Sequence, residues 1–140
     1  TELSIMNTKG KLEWRLRMES MEGSVAEKNL LASGIEAVRF ERGEAVLKVS
    51  AREARVKWDV GELSFQRGVF AKAIEAGREV AFLEAASLAW ASQDKKLIGR
   101  GGVRFRRGAV EVFGEEVASD LRLEKVTIRG RATLRTRIGG

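Results

Sequence analysis

Cysteine, histidine, tyrosine and proline are all missing from this 140-residue chain. Without cysteine there is no disulfide framework and no thiolate chemistry. Without histidine the commonest general base and the commonest zinc ligand are gone. Any catalyst would have to work with Ser, Thr, Lys, Asp or Glu, and aspartate occurs only at Asp59, Asp94 and Asp120. Without proline the turns fall to Gly, Asp, Asn and Ser, in keeping with the 15 glycines. No apolar run approaches the roughly 20 residues of a membrane span, the longest candidate being the short AASLAWA. The N-terminal TELSIMNTKGK lacks a hydrophobic signal core. These absences predict a soluble chain, or one separated from whatever anchored it.

Apolar residues make up 44% of the chain and charged residues 33%, with a net charge of +6. That apolar share is enough for folding rather than disorder, and the length suits a single domain spanning residues 1–140. The basic surface points to anionic partners: nucleic acid, phospholipid or another phosphate-bearing molecule.

Internal repetition is the strongest pattern. Three stretches open on Gly43, Gly77 and Gly108 and close on Gly68, Gly102 and Gly130. A more degenerate copy runs from Gly10 to Gly34. The closing glycines are 34, 34 and 28 residues apart, and the three aspartates precede them by nine, eight and ten residues. An aspartate carboxylate hydrogen-bonds its own backbone in tight turns, so WDVGEL, SQDKKL and ASDLRL read as hairpin turns rather than catalytic acids.

Between turns the apolar residues alternate: Leu47, Val49 and Ala51, then Ala54, Val56 and Trp58 on the opposite parity. The break near Arg52–Glu53 predicts a bulge or corner, because one extra residue flips the buried face. The pairs Leu63/Phe65, Val80/Phe82, Leu88/Trp90, Val103/Phe105, Val110/Val112, Leu121/Leu123 and Val126/Ile128 continue the theme. Period two means strands with one wet and one buried face. The segment VFAKAIEAGREVAFLEAASLAWA conflicts with this, since Ala and Glu favour helix. Strands are preferred there because the same turn signals flank it, with a helical turn or two around Lys72–Ala76 as the alternative.

The stretch KKLIGRGGVRFRRGAVEVFGEE, residues 95–116, tests the phosphate-loop reading. It lacks the terminal Lys-Ser/Thr of a P-loop and a following helix for a dinucleotide fold. It reads instead as strand–turn–strand, with Val103 and Phe105 inward, Arg104 and Arg106 outward, and the turn at Arg107–Gly108. Single-strand nucleic-acid binders need exposed aromatics beside basic grooves. Here Trp14, Trp58, Phe65, Phe82, Trp90 and Phe105 are read as inward, and the arginines alternate with glutamates as on a solvated face. Arg129, Arg131, Arg135 and Arg137 share a parity at the C-terminus; they either guard a sheet edge against aggregation or mark a docking edge.

The RGGV closures, the run RRGAVEVFGEEVASDLRLEKVTIRGRATL and the opening NTKGKLEWRLRMES resemble the periplasmic domain of the lipopolysaccharide export protein LptC family. LptA and its superfamily share the same repeated strands and are the nearest alternative. The resemblance covers nearly the whole chain. It implies an all-β, twisted antiparallel jelly roll of two sheets, open along a seam, with no catalysis and no cofactor. It implies a periplasmic domain, anchored by an N-terminal membrane helix that this chain does not include. Such a domain relays lipopolysaccharide from an inner-membrane ABC transporter, met at the N-terminal edge, to an LptA-like bridge protein at the C-terminal edge. Each exposed CH₂ of an acyl chain costs about 0.8 kcal/mol in water, so an apolar slot between sheets suits that cargo. The expected acyl-chain contacts are Trp14, Leu16, Met18, Leu47, Val49, Trp58, Phe65, Val80, Phe82, Leu88, Trp90, Val103, Phe105 and Val112. The expected docking edges are Leu12 to Met18, including Leu16, and Val126, Ile128, Gly130, Ala132 and Leu134. Edge strands take partners by strand addition. The competing readings are a ligand-free β-scaffold that pairs edge to edge with copies of itself and, further behind, a basic nucleic-acid-binding barrel.

Overall fold

The computed structural model describes residues 1–137, which form ten strands and no helix. The strands are β1 (Glu2–Met6), β2 (Leu12–Ser24), β3 (Asn29–Glu41), β4 (Glu44–Lys57), β5 (Glu62–Glu75), β6 (Arg78–Ala91), β7 (Lys96–Arg107), β8 (Val110–Ser119), β9 (Val126–Arg129) and β10 (Thr133–Thr136). The alanine-rich segment falls entirely within β5, its hairpin and β6. Pairing on both sides overrides the helical propensity of that composition, and no helical turn forms around Lys72–Ala76.

Each strand from β1 to β8 pairs antiparallel with its sequence neighbour. β9 and β10 share the far side of β8, β9 against Glu116–Ser119 and β10 against Val110–Phe113. The result is one continuous sheet with two free edges, β1 and β9/β10, and it is not closed into a barrel.

The opening glycines make turns. Arg42-Gly43 and Ala76-Gly77 are two-residue loops with positive φ at both positions, 52° and 78° in the first and 51° and 76° in the second. That is the type I′ geometry whose twist matches antiparallel strands. The closing glycines do not close anything. Gly34, Gly68 and Gly102 lie in the middle of β3, β5 and β7, and Gly130 separates β9 from β10. At these points the register slips: Ser50 pairs with Phe70 but Glu53 with Gln66. The same slip recurs 34 residues on, Glu84 pairing with Arg104 and Ser87 with Arg100. These are bulges, where the strand bends and the inward parity is reset. In β4 the buried face runs Leu47, Val49, Ala51, then Ala54, Val56, as the break near Arg52–Glu53 foretold.

The bulges let every long strand fold at its middle. An unbent β6 of 14 residues would reach roughly 46 Å at about 3.3 Å per residue. Arg39 and Trp90 sit on β3 and β6, three strands apart and near opposite strand ends, yet the guanidinium lies 5.6 Å from the indole. A flat sheet would hold them at least about 14 Å apart. The sheet is therefore doubled over into two facing halves, a twisted jelly roll made of one hydrogen-bonded sheet rather than two separate ones.

Between the halves lies the core. Phe65, Leu16, Leu47, Leu63, Leu83, Leu88, Leu97 and Leu123 are the largest fully buried side chains. Phe82 departs from the sequence reading: it points outward, half-buried, stacked obliquely on Phe70 with ring centroids 5.9 Å apart. The inward residues of that stretch are Ala81, Leu83 and Ala85. The apolar alternation at Val80/Phe82 misleads because a register slip between Ala73 and Ile74 on the partner strand offsets Val80 from Phe82, and both parities are apolar there. The N-terminal edge also moves: Leu12–Met18 is covered by β1, Glu2 pairing with Arg17 and Ile5 with Trp14.

Candidate functional site: the seam, its basic mouth and the open edges

Doubling the sheet brings the hairpins at one set of strand ends to the turns at the other. The line where they meet is the seam, and polar contacts span it. Arg122, in the loop after β8, pairs with Glu41 at the end of β3 at 3.2 Å. Arg107, at the end of β7, donates to the Arg122 carbonyl at 3.5 Å and pairs with Glu75 at 2.9 Å. These groups are partly exposed, so each pair is screened by water and adds little stability by itself.

Behind the Arg122–Glu41 pair is a cavity of about 550 Å³. The β1–β2 turn contributes Asn7 and Lys11, the β3–β4 hairpin Phe40, Glu41 and Arg42, and the β6–β7 turn Ser92 and Lys95. Glu13, Arg39, Trp90, Asp120, Leu121 and Arg122 complete the wall. Trp90 and Leu121 belong to the buried core, so this mouth joins solvent to the apolar interior.

Arg39 is the most unusual residue here. Its side chain is 12% exposed and lies over the rings of both Trp14 (5.7 Å) and Trp90 (5.6 Å). One terminal nitrogen donates to Glu13 Oε2 at 3.3 Å. Its Nε is buried with no hydrogen-bond partner. Leaving such a donor unpaired costs about 1–3 kcal/mol, offset by the carboxylate and the two ring faces.

The aspartates serve turns. Asp120 Oδ1 accepts hydrogen bonds from the N–H groups of Glu124 (2.9 Å) and Lys125 (3.2 Å), and Asp59 and Asp94 lie in the β4–β5 and β6–β7 turns.

The expected acyl-chain residues fall into three groups. Trp14, Leu16, Met18, Leu47, Val49, Phe65, Leu88, Trp90, Val103 and Phe105 are buried on the inward face and packed against one another. Trp58, Val80 and Val112 are partly buried against that core. Phe82 faces out. The inward side chains fill the space between the halves rather than line an open groove, Leu16, Leu47 and Phe65 all being 0% exposed. The sequence reading passed over Leu30, Ile35, Val69, Leu83, Leu97 and Val117, which are equally buried. The 34-residue offset points to several of them, since Ile35 and Leu97 precede or follow bulge positions as Val69 and Leu63 do.

At the C-terminal edge, β10 is exposed on both faces, with Leu134 64% exposed. Gly130 and Ala132 are exposed too, whereas Val126 and Ile128 tuck against the core. Of the C-terminal arginines, Arg135 pairs with Glu111 at 3.8 Å and lies over Phe113 at 5.8 Å. Leu12 is half-buried beneath β1, and Leu16 is core rather than edge. On the outer face arginine and lysine pair with glutamate across strands, as in Arg104 with Glu111 (3.1 Å) and Lys48 with Glu36 (3.4 Å).

The architecture defines a class: an open-edged antiparallel β-jelly roll of long, mid-bent strands. It superposes on a crystal structure of LptH from Pseudomonas aeruginosa, the LptA-homologous periplasmic component of that organism's lipopolysaccharide transport device, with a TM-score of 0.75. The match covers 89% of this chain and 94% of that one at 10% sequence identity, which shows a shared LptA-like fold. No protein-family model and no curated protein matches the chain.

Proposed function

We propose that the chain is a non-enzymatic periplasmic component of lipopolysaccharide transport. It shelters acyl chains between the two halves of its sheet and passes them on by edge-to-edge pairing. The observation that carries this reading is the combination of an LptA-like fold with free edges at both ends. An inner-membrane ABC transporter meets the N-terminal edge and an LptA-like bridge protein adds a strand at β10, as an unpaired edge invites. In the full-length protein an N-terminal helix anchors the domain, as in LptC. Because the inward face is packed, cargo enters by parting the seam, where a few screened polar contacts are broken more readily than a core.

Photo-crosslinking residues at Leu88 and Phe105 test the cargo. Adducts with lipopolysaccharide at both, and none at the outward Phe82, support the relay. Absence of inward adducts in a working assembly overturns it. Leu134→Pro removes a backbone donor from β10 and is expected to abolish pull-down of the bridge protein without unfolding the roll; undiminished capture counts against docking there.

The filled interior favours a second reading, a ligand-free scaffold whose edges pair with other copies. That reading predicts concentration-dependent oligomers, lost in Leu134→Pro, with no inward adducts.

A further inference from the structure

We propose that the cavity at the mouth of the seam binds a phosphorylated sugar through Lys11, Arg42 and Lys95. Five cations and three carboxylates line it. Arg39 is bound to Glu13, Arg122 to Glu41, and the Asp120 carboxylate to backbone N–H groups. Lys11, Arg42 and Lys95 are exposed and form no salt bridge with any described residue. The three come from different turns, β1–β2, β3–β4 and β6–β7, and meet only because the sheet doubles over.

Backbone geometry fixes two of them. Arg42 and Lys95 both adopt positive φ, 52° and 51°, in turns whose ends are pinned by strand pairing. The backbone that carries them is thus fixed at the rim of the cavity. The cavity volume, about 550 Å³, lies in the range of ligand pockets, about 300–1,000 Å³, and exceeds what a lone phosphate needs. Phe40, partly exposed, supplies apolar surface in the cavity wall against which a sugar ring can lie. Trp90 and Leu121 join the cavity wall to the packed core, so the apolar tails of a ligand whose anionic head is held here reach the interior once the seam parts. Identifying that ligand as a phosphorylated glycolipid rests on the proposed function; the phosphate site itself stands on the cavity.

The test compares Lys11→Gln/Arg42→Gln/Lys95→Gln with a control of equal charge loss on the outer face, Arg52→Gln/Arg55→Gln/Lys57→Gln. Titration calorimetry at physiological salt uses fructose 1,6-bisphosphate, detergent-dispersed lipopolysaccharide and the same lipopolysaccharide after phosphatase treatment. The cavity variant is expected to lose at least tenfold in affinity for the phosphorylated probes, the control less than twofold, with thermal melts unchanged in both. Equal losses in the two variants, or no binding of any phosphorylated probe by the parent chain, overturn the site. Tighter binding of lipopolysaccharide that phosphatase abolishes assigns the site to a lipid headgroup. Equal affinity for the soluble bisphosphate assigns it to a free sugar phosphate, and either result upholds the site. Phosphate binding without acyl adducts at Phe105 sinks the relay and spares the cavity. Adducts at Phe105 with undiminished affinity in the cavity variant do the reverse.

Discussion

Gly101 and Gly102 stand side by side in the middle of β7, both left-handed, with φ of 84° and 82°. A Cβ on Gly102 meets nothing within 4 Å, whereas one on Gly101 lies 2.5 Å from the Ala86 Cβ. Gly102→Ala is therefore expected to cost about 1–2 kcal/mol of backbone strain. Gly101→Ala adds about 1–3 kcal/mol of overpacking, and Ala86→Gly recovers part of that addition. Urea melts of the two single variants and the Gly101→Ala/Ala86→Gly pair measure the difference; equal costs refute the close contact. Residue patterns were legible where the two faces differ in polarity. Phe65 sits among polar neighbours and was placed correctly, while Phe82 lies in a stretch apolar on both parities. There the inward positions are taken by Ala81, Leu83 and Ala85, and residue type on the two parities does not separate them from Val80 and Phe82.

Among elements, the hairpins were the readable part, because type I′ turns demand residues that tolerate positive φ. Arg42 and Ala76 are the exceptions, Cβ-bearing residues at 52° and 51° beside Gly43 and Gly77. Ala76→Asn is expected to stabilise the chain by about 0.5 kcal/mol, seen as a higher Tm, while the same change at the outward strand residue Lys57 gives no gain. The repeat was also visible, but the role of its glycines was not. A glycine needed for positive φ looks the same in a loop and in a bulge, and only the partner strand's register distinguishes them. Likewise β1 was invisible as an edge: five residues, ELSIM, carry too short an alternation to announce a strand. The long-range pairing that gives β9 and β10 one shared neighbour leaves no local trace either.

On the scale of the whole molecule, the proposed relay requires the doubled sheet to open. With no cysteine in the chain, Glu41→Cys/Arg122→Cys creates a unique pair of thiols across the seam. Bridging them with a short bis-maleimide is expected to cut lipopolysaccharide loading at least tenfold, while the unbridged double variant loads normally. Normal loading of the bridged protein excludes entry through the seam. The seam was not readable in advance, because it joins hairpins from distant repeats and is made by bending rather than by composition. Finally, every strand hydrogen-bonds only to its sequence neighbours, apart from the pair that shares β8, and the bulges recur every 34 residues. Such a molecule is a ruler with interchangeable divisions. Duplicating residues 44–77 in tandem inserts two strands already in phase, and small-angle scattering should find the folded product longer by about 10 Å, twice the strand spacing. Inserting half as many residues puts every later side chain out of step, so this scaffold changes its reach in whole hairpins only.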